Sequence, residues 1–352
     1  HYVLARVVGF NTPRSIDDEW QNWAAENLLL GRAQLDLLYR MVENHFDAAQ
    51  AREVITQIAK SPALATAKRL TARLAKRDWL LGVQRKNTAL DERSHRVPVV
   101  PALSREAFLQ EHYAAGRPVV MTGAFDAWPA REKWTLDYIN ARCGNADVSI
   151  QLGREGNTRY ETQAEQHRKI MPLADYIATL KALEAEEGSS NNFYITAGNT
   201  GVNETALAAL WEDTEPALEA YLNPQAASRH GFFWMGPRGT VTPLHHDLTN
   251  NFMAQVMGRK HIWLINPNQT PSLYNHLHCF SDVDLRNIDF DRFPMMRDVE
   301  VLEHILAPGE LLFIPIGWWH QVVGLDTTIT MTFTNFRWPN DYANSYHTYG
   351  PV

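Results

Sequence analysis

Cysteine is almost missing from this 352-residue chain, which has only Cys143 and Cys279, far apart in sequence. That excludes a disulfide framework and a cysteine-ligated zinc site, and it suits a reducing, cytoplasmic setting. No apolar run reaches the roughly 20 residues that a membrane-spanning helix needs, so no membrane role is expected. The N-terminus also lacks the basic-then-apolar order of a secretory signal. Positive charge is in deficit: a net charge of −7 argues against binding nucleic acid over the whole surface. Internal repeats and low-complexity tracts are absent too. What is present is material for a core, with 45% apolar residues, eleven tryptophans and 21% charged residues, a balance that argues against disorder.

Residues 1–95 are expected to form an N-terminal helical module with its linker, and residues 96–352 a second domain. Ser15 before Asp17, Asp18 and Glu19 predicts a helix N-cap with acids in the first turn. Trp20, Trp23 and Leu28 follow at near-helical spacing, and Gly31 ends the segment. Leu35, Leu38, Met41 and Val42 make a second apolar stripe. Further short helices are predicted over 47–60, 63–76 and 77–86, with Ser61-Pro62 as a start signal. Residues 51–86 carry nine Lys or Arg against two acids, Glu53 and Asp78. Such a run is either a docking face for an acidic partner or nucleic acid or a solvated helical face. Small apolar helical layers also pair chains, so a homodimer through this module is a further expectation.

Val97-Pro-Val-Val-Pro101 reads as an extended linker. Short strands are then predicted within 116–123, over Val148–Leu152 and over Asn192–Thr196, with an amphipathic helix at 171–187. After 231 the texture is β-rich. Phe232–Met235, Phe252–Val256, His261–Ile265, Leu311–Ile316 and Thr327–Phe333 are separated by Gly and Pro. Several short strands punctuated by turns predict a barrel or jelly roll.

Within that region His245 and Asp247 stand one residue apart. Positions i and i+2 of an extended segment point to one face, so an imidazole and a carboxylate can converge. His320 follows the strand Leu311–Ile316 by way of Trp318 and Trp319. Two imidazoles and one carboxylate on one side of a metal leave its other side open, which is the arrangement of non-haem iron(II) oxygenases. Taken singly, any of the fourteen histidines is more readily a surface or hydrogen-bonded residue than a ligand; the conjunction carries the argument. His246 should face away, and His261, His276 and His278 are expected to be structural or loop residues.

Lys260 follows Asp247 by thirteen residues, just behind Gly258. An ammonium turned into a barrel interior is costly unless an anion meets it. A dicarboxylate would meet it with one end while its keto-acid end chelates the metal, and the hydroxyls of Thr242 and Tyr194 would complete the carboxylate site. A surface lysine on the outer strand face is the competing reading.

The motifs Arg117-Pro-Val-Val, Trp128-Pro-Ala with Lys133-Trp134, Thr242-Pro-x-His-x-Asp, Asn251-Phe-x-Ala-Gln-x-x-Gly-x-Lys260 and Gly309-Glu-Leu-Leu-x-Ile-Pro-x-x-Trp-Trp-His320 span about 104–338. In these the chain resembles the JmjC or cupin-like (cupin_8) iron(II)/2-oxoglutarate oxygenases, with a pattern similar to the family's asparaginyl hydroxylases. The resemblance implies a mainly β fold with helical additions: a double-stranded β-helix (jelly-roll, cupin) core plus the N-terminal helical module. It implies Fe(II) on His245, Asp247 and His320, and 2-oxoglutarate on Lys260, Thr242 and Tyr194, with O2 as the other co-substrate. Asn251 lies beside the metal, and Thr332 stands where the family carries a late-strand asparagine. Tyr160 and Glu161 resemble a substrate-facing pair. The backbone-gripping basic and amide pair of the asparaginyl hydroxylases is missing from Cys279–Asp284, so their substrate does not carry over.

The implied reaction is hydroxylation of a C–H bond on a protein or peptide side chain, with release of succinate and CO2. A small-molecule hydroxylase and an N-methyl-lysine demethylase are alternatives in the same class. The alternative from another class is a catalytically silent cupin that uses the basic helices 51–86 to bind a partner.

Overall fold

The computed structural model describes residues 15–156, 159–196, 201–216 and 218–352. The chain divides into two compact units, residues 1–83 and 84–352. The first contains helices α1 (Asp18–Leu29), α2 (Gln34–Glu43) and α3 (Ala48–Lys60), and the division falls within α4 (Pro62–Thr88). Asp17 rather than Ser15 caps α1, its carboxylate accepting from the Trp20 backbone N–H at 3.1 Å. A carboxylate there also meets the positive end of the helix dipole, which a hydroxyl cannot do as strongly. Ala24, Leu28, Leu37, Leu38, Met41, Phe46, Ala51, Ile55 and Leu64 form the core of this unit, with Trp20 packed edge-on against Phe46 at 4.9 Å. α4 is continuous where two short helices were predicted. Lys76 and Arg77 are good helix formers, and neither glycine nor proline interrupts them.

The second unit is built on strands. In chain order these are β1 (Val99–Pro101), β2 (Val119–Thr122), β3 (Asp147–Gln151), β4 (Arg168–Pro172), β5 (Phe232–Gly236), β6 (Val241–His246) and β7 (Asn251–Met257). There follow β8 (Lys260–Ile265), β9 (Asn275–Leu277), β10 (Phe280–Ser281), β11 (Leu302–Leu306), β12 (Glu310–Ile314), β13 (Trp319–Gly324) and β14 (Thr328–Phe333). They assemble into two six-stranded sheets, β1-β2-β12-β7-β14-β5 and β11-β8-β13-β6-β10-β9, plus the hairpin β3-β4. The eight strands β5–β8 and β11–β14 are shared between the two sheets, which is the double-stranded β-helix expected from the motifs. Val99–Pro101, read as linker, is an edge strand pairing in parallel with β2. An edge position tolerates the missing N–H of Pro101. Asn192–Thr196 contributes only two isolated bridges, Tyr194 to Gln151 and Ile195 to Met235.

Period-two alternation sorts the side chains. Phe252, Ala254 and Val256 of β7 and Ile329, Met331 and Phe333 of β14 join the large core that includes Phe108, Trp128, Tyr176 and Trp211. The alternate residues face the space between the sheets. There Met253, Leu312 and Ile314 of one sheet pack with Ile262, Leu264 and Val322 of the other. Lys260 shares the parity of Ile262 and Leu264, and His320 that of Val322, so both belong to this interior.

The β7–β8 turn sets the register of Lys260. Gln255, fully buried, donates through Nε2 to the carbonyls of Met257 and Gly258 at 2.8 Å each, and its Oε1 accepts from the Thr330 hydroxyl at 2.8 Å. Gly258 has φ +66°, and a Cβ there would lie 2.1 Å from the Thr327 carbonyl oxygen. Gly258→Ala therefore combines left-handed strain with a backbone clash and is expected to cost about 2 kcal/mol or more. A urea midpoint that does not move would show that this turn relaxes freely.

Candidate metal and co-substrate site

β6 and β13 are antiparallel neighbours, and their register places His320 directly opposite His245, with an irregularity between His320 and Val322. The two rings lie 4.2 Å apart, centroid to centroid. His245 Nδ1 is 2.8 Å from the Pro243 carbonyl, and His320 Nδ1 is 2.9 Å from the Trp318 carbonyl. A carbonyl only accepts, so each Nδ1 carries the hydrogen and each Nε2 presents a lone pair. Each ring is thus held by the carbonyl of the residue two places before it on its own chain.

Asp247 follows β6. Its Oδ1 is 3.5 Å from His245 Nε2 and its Oδ2 is 3.7 Å from His320 Nε2. All three ligand atoms lie within 4.8 Å of one another, too far apart to satisfy each other well and close enough to share one cation. Asn251, the first residue of β7, donates from Nδ2 to Asp247 Oδ2 at 3.2 Å, and its Oδ1 is buried without a partner. Two imidazole nitrogens, one carboxylate and an unspent amide oxygen beside them suit a divalent cation with water or substrate in its remaining positions.

The electrostatics point the same way. Burial opposes ionisation of Asp247, but His245, His320 and Asn251 hold its carboxyl well below the usual range. Burial also disfavours a charged His245, yet the Asp247 carboxylate and the Pro243 carbonyl raise its pKa. Burial, with His245 beside it, lowers His320 to about 4. His320 is therefore neutral and Asp247 ionised at neutral pH, as a metal needs, and binding of a cation would displace any proton carried by His245 Nε2.

Lys260 is 2% exposed. Its Nζ lies 3.4 Å from the Tyr194 hydroxyl. Among the described residues no carboxylate lies within ion-pair range of it, and burial alone lowers its pKa to about 7. Burial raises Tyr194 to about 12, opposed by the Arg154 charge and a hydrogen bond with the Thr242 side chain. Lys260, Tyr194 and Thr242 thus come together as a buried polar cluster. Thr332 shares the interior parity of Thr330, but its hydroxyl is taken up by the Trp234 indole N–H at 2.9 Å. The Trp234 ring in turn lies 6.0 Å from that of Tyr194, so Thr332 reaches the pocket only through this chain.

Tyr160 and Glu161 lie beside β6. The Tyr160 hydroxyl donates to the Val241 carbonyl at 3.1 Å, and Glu161 is ion-paired with Arg154 at 2.9 Å. Arg154 was not foreseen. It is 1% exposed, its guanidinium carbon sits 4.4 Å from the Tyr160 ring centre and 5.0 Å from that of Tyr194, and its Nη2 donates to the Val241 carbonyl at 2.6 Å. Nothing in Leu152-Gly-Arg154 distinguishes this arginine from a loop residue. Trp234 was missed for the same reason. His246 turns to Trp319, 4.8 Å away. His261 stacks on Trp263 at 3.7 Å and pairs with Glu303; His276 lies 3.5 Å from Asp282 and His278 3.1 Å from the Tyr346 hydroxyl. None of these four joins the metal-ligating group.

Among the described residues no helix is long and apolar enough to cross a membrane. The cupin-like domain family matches residues 104–342. Lysine-specific demethylase 8 of Xenopus tropicalis is 32% identical over 67% of this chain and 52% of its own length. Lysine-specific demethylase JMJ30 of Arabidopsis thaliana is 32% identical over 71% and 56%. The tRNA wybutosine-synthesizing protein 5 of Gallus gallus is 24% identical over 72% and 81%. The chain thus spans little more than half the length of the two demethylases. These relatives support the family without specifically supporting the asparaginyl-hydroxylase branch. With its two-sheet core and its His245–Asp247–His320 group, the chain belongs to the cupin-like JmjC family, whose enzymes use Fe(II), 2-oxoglutarate and O2.

Proposed function

We propose that this protein is an Fe(II)- and 2-oxoglutarate-dependent oxygenase that hydroxylates a C–H bond on a protein or peptide side chain and releases succinate and CO2. The observation that carries the reading is the pairing of the three-ligand group with a buried ammonium that has no carboxylate partner among the described residues. His245, Asp247 and His320 would hold the iron. When bound, iron supplies the activation of O2, with 2-oxoglutarate as the reductant that is decarboxylated. Lys260, Thr242 and Tyr194 would receive the far carboxylate, and Asn251 holds Asp247 through Oδ2. The neighbourhood of Tyr160 and Glu161 is the candidate substrate side.

N-methyl-lysine demethylation is the second reading, favoured by the names of the relatives at 32% identity. It is the same hydroxylation placed on a methyl carbon, with loss of formaldehyde. Mass spectrometry of protein and peptide substrates separates the two: a gain of one oxygen atom supports hydroxylation, whereas loss of a methyl group with formaldehyde supports demethylation. Asp247→Ala and His245→Ala each remove one of three ligands and are expected to lower iron-dependent succinate formation by at least ~100-fold. Near-normal turnover in either variant would remove that residue from the metal site.

Lys260 makes a pH prediction. With a pKa of about 7 in the unliganded fold, the ammonium that meets the dicarboxylate is progressively lost above neutrality. Affinity for 2-oxoglutarate in the metal-loaded protein should then fall up to ~10-fold per pH unit above that value, because binding takes up one proton. Stability of the unliganded protein runs the opposite way. A lowered lysine pKa penalises folding fully below about 7, and the penalty fades as pH rises toward the ordinary lysine value. Lys260→Arg keeps its charge and should flatten the affinity profile in calorimetric titrations. Identical profiles for wild type and variant would take Lys260 out of the co-substrate site.

A further inference from the structure

α4 is the element of the first unit that its own core leaves unexplained. Only Leu64 is buried among its 27 residues, while Leu70 is 52% and Leu74 55% exposed. Helices draw most of their stability in proteins from a packed apolar face rather than from propensity. The face is present in the spacing. Ala63, Ala67, Leu70, Leu74, Arg77 and Leu81 follow one another at alternating intervals of four and three residues. That alternation is the seam of a two-stranded coiled coil, with 67, 74 and 81 at its a positions and 63, 70 and 77 at its d positions.

The residues flanking the seam select the partner. Arg73 takes a g position and Asp78 an e position. When two copies run parallel, a g residue faces the e residue five places further along the other helix. Arg73 of each copy then meets Asp78 of the other, twice by symmetry. Antiparallel pairing sets g against g and e against e, so with the whole seam overlapped Arg73 would meet Arg73 while Asp78 would face Leu64 and lose its cation. Trp79 falls at an f position and points away, in keeping with its 63% exposure. Lys68, Arg69 and Lys76 also sit on the outer face, where their charges stay solvated. Arg77 is the one polar seam residue. Its long stem can cover apolar surface while the guanidinium reaches water, and a polar seam position fixes register at some cost in stability.

We propose that α4 is a docking surface for a second copy of this chain, the two helices running parallel along the Ala63–Leu81 seam with Arg73 and Asp78 cross-paired. The seam is ~27 Å long. This inference does not depend on the oxygenase reading.

Sedimentation equilibrium on the full chain tests it. Wild type should show a monomer–dimer equilibrium, and Leu74→Glu should remain monomeric. Arg73→Glu alone, or Asp78→Arg alone, replaces two attractive pairs with two repulsive ones and should weaken dimerisation ~10-fold at low salt. An equimolar mixture of these two single variants restores opposite charges at both contacts and should recover wild-type association, as should the double charge swap. A wild-type chain that stays monomeric at every concentration would overturn the proposal and assign the helix to another occupant, such as an acidic protein or a nucleic acid. A dimer indifferent to the single reversals, or a mixture that fails to recover, would overturn the parallel seam.

Discussion

Strand parity is the constraint on which the site depends. In a closed two-sheet core every second residue must face inward, whether or not its chemistry suits an apolar interior. On β8 that rule sends Ile262 and Leu264 into the core between the sheets, and Lys260 with them. On β13 it sends Val322 and His320. A shift of one residue in either strand would turn the ammonium or the imidazole out of this interior into the apolar core that now holds Trp263 and Trp319, and bring one of those rings in its place. The many apolar residues on both faces make that slip costly, so the packing energy of the barrel holds two uncomfortable polar groups where chemistry can use them. The Gln255 clamp on the β7–β8 turn is the local device that keeps the count from slipping before Lys260.

A buried ammonium with a buried tyrosine hydroxyl as its near neighbour is an incomplete arrangement, and incompleteness is what separates a site from a structural ion pair. Among the described residues, Asp213 is the contrasting case. Asp213, 1% exposed, takes Lys133 at 3.1 Å, the Trp134 indole at 3.2 Å and the Tyr138 hydroxyl at 2.6 Å. That set is closed and reads as structure, tying the helix Leu136–Cys143 to the segment Ala208–Thr214. The Lys260 ammonium and the buried Asn251 Oδ1 are left unmatched by the same accounting. Arg154 lies between the two cases. Its Nη2 is spent on Val241 and Glu161, while Nε and Nη1 are buried without a partner. Its spent half pins the segment that carries Glu161 against β6, and so fixes the wall beside His245.

The convergence of the candidate ligands was legible in the sequence because it is written as residue types at fixed spacings. His245-x-Asp247 needs only strand alternation to converge, and Lys260 needs only the same parity carried across one turn. Arg154 and Trp234 were illegible because their roles come from tertiary placement: an arginine in a glycine-flanked loop and a tryptophan in an aromatic strand look like many others. The resemblance placed Thr332 at a late-strand position near the metal and could not show it as a partner of Trp234, since the distance from β14 to β5 cannot be read along the chain. The stretch Val97–Pro101 misled because prolines mark both linkers and edge strands, and only the neighbour β2 decides between them. Asp17 overtook Ser15 as a cap because two good capping residues stood two apart and the more charged one sat nearer the first turn.

The basic run of 51–86 shows how a composition argument changes once geometry is available. Counted as charges it reads as an attractive face for an anion. Placed on one continuous helix, the same residues separate. Arg73 and Arg77 lie on or beside the apolar line of Ala67, Leu70, Leu74 and Leu81, whereas Lys68, Arg69 and Lys76 lie off it. A nucleic acid would use Arg69, Arg73, Lys76 and Arg77, which fall within about 100° of one another around the helix, but would gain nothing from the leucines. An anionic surface would draw Trp79 and the leucines to the same side, yet they sit on opposite sides of the helix. A second copy of α4 uses both the leucines and the single acid, Asp78, that interrupts the run.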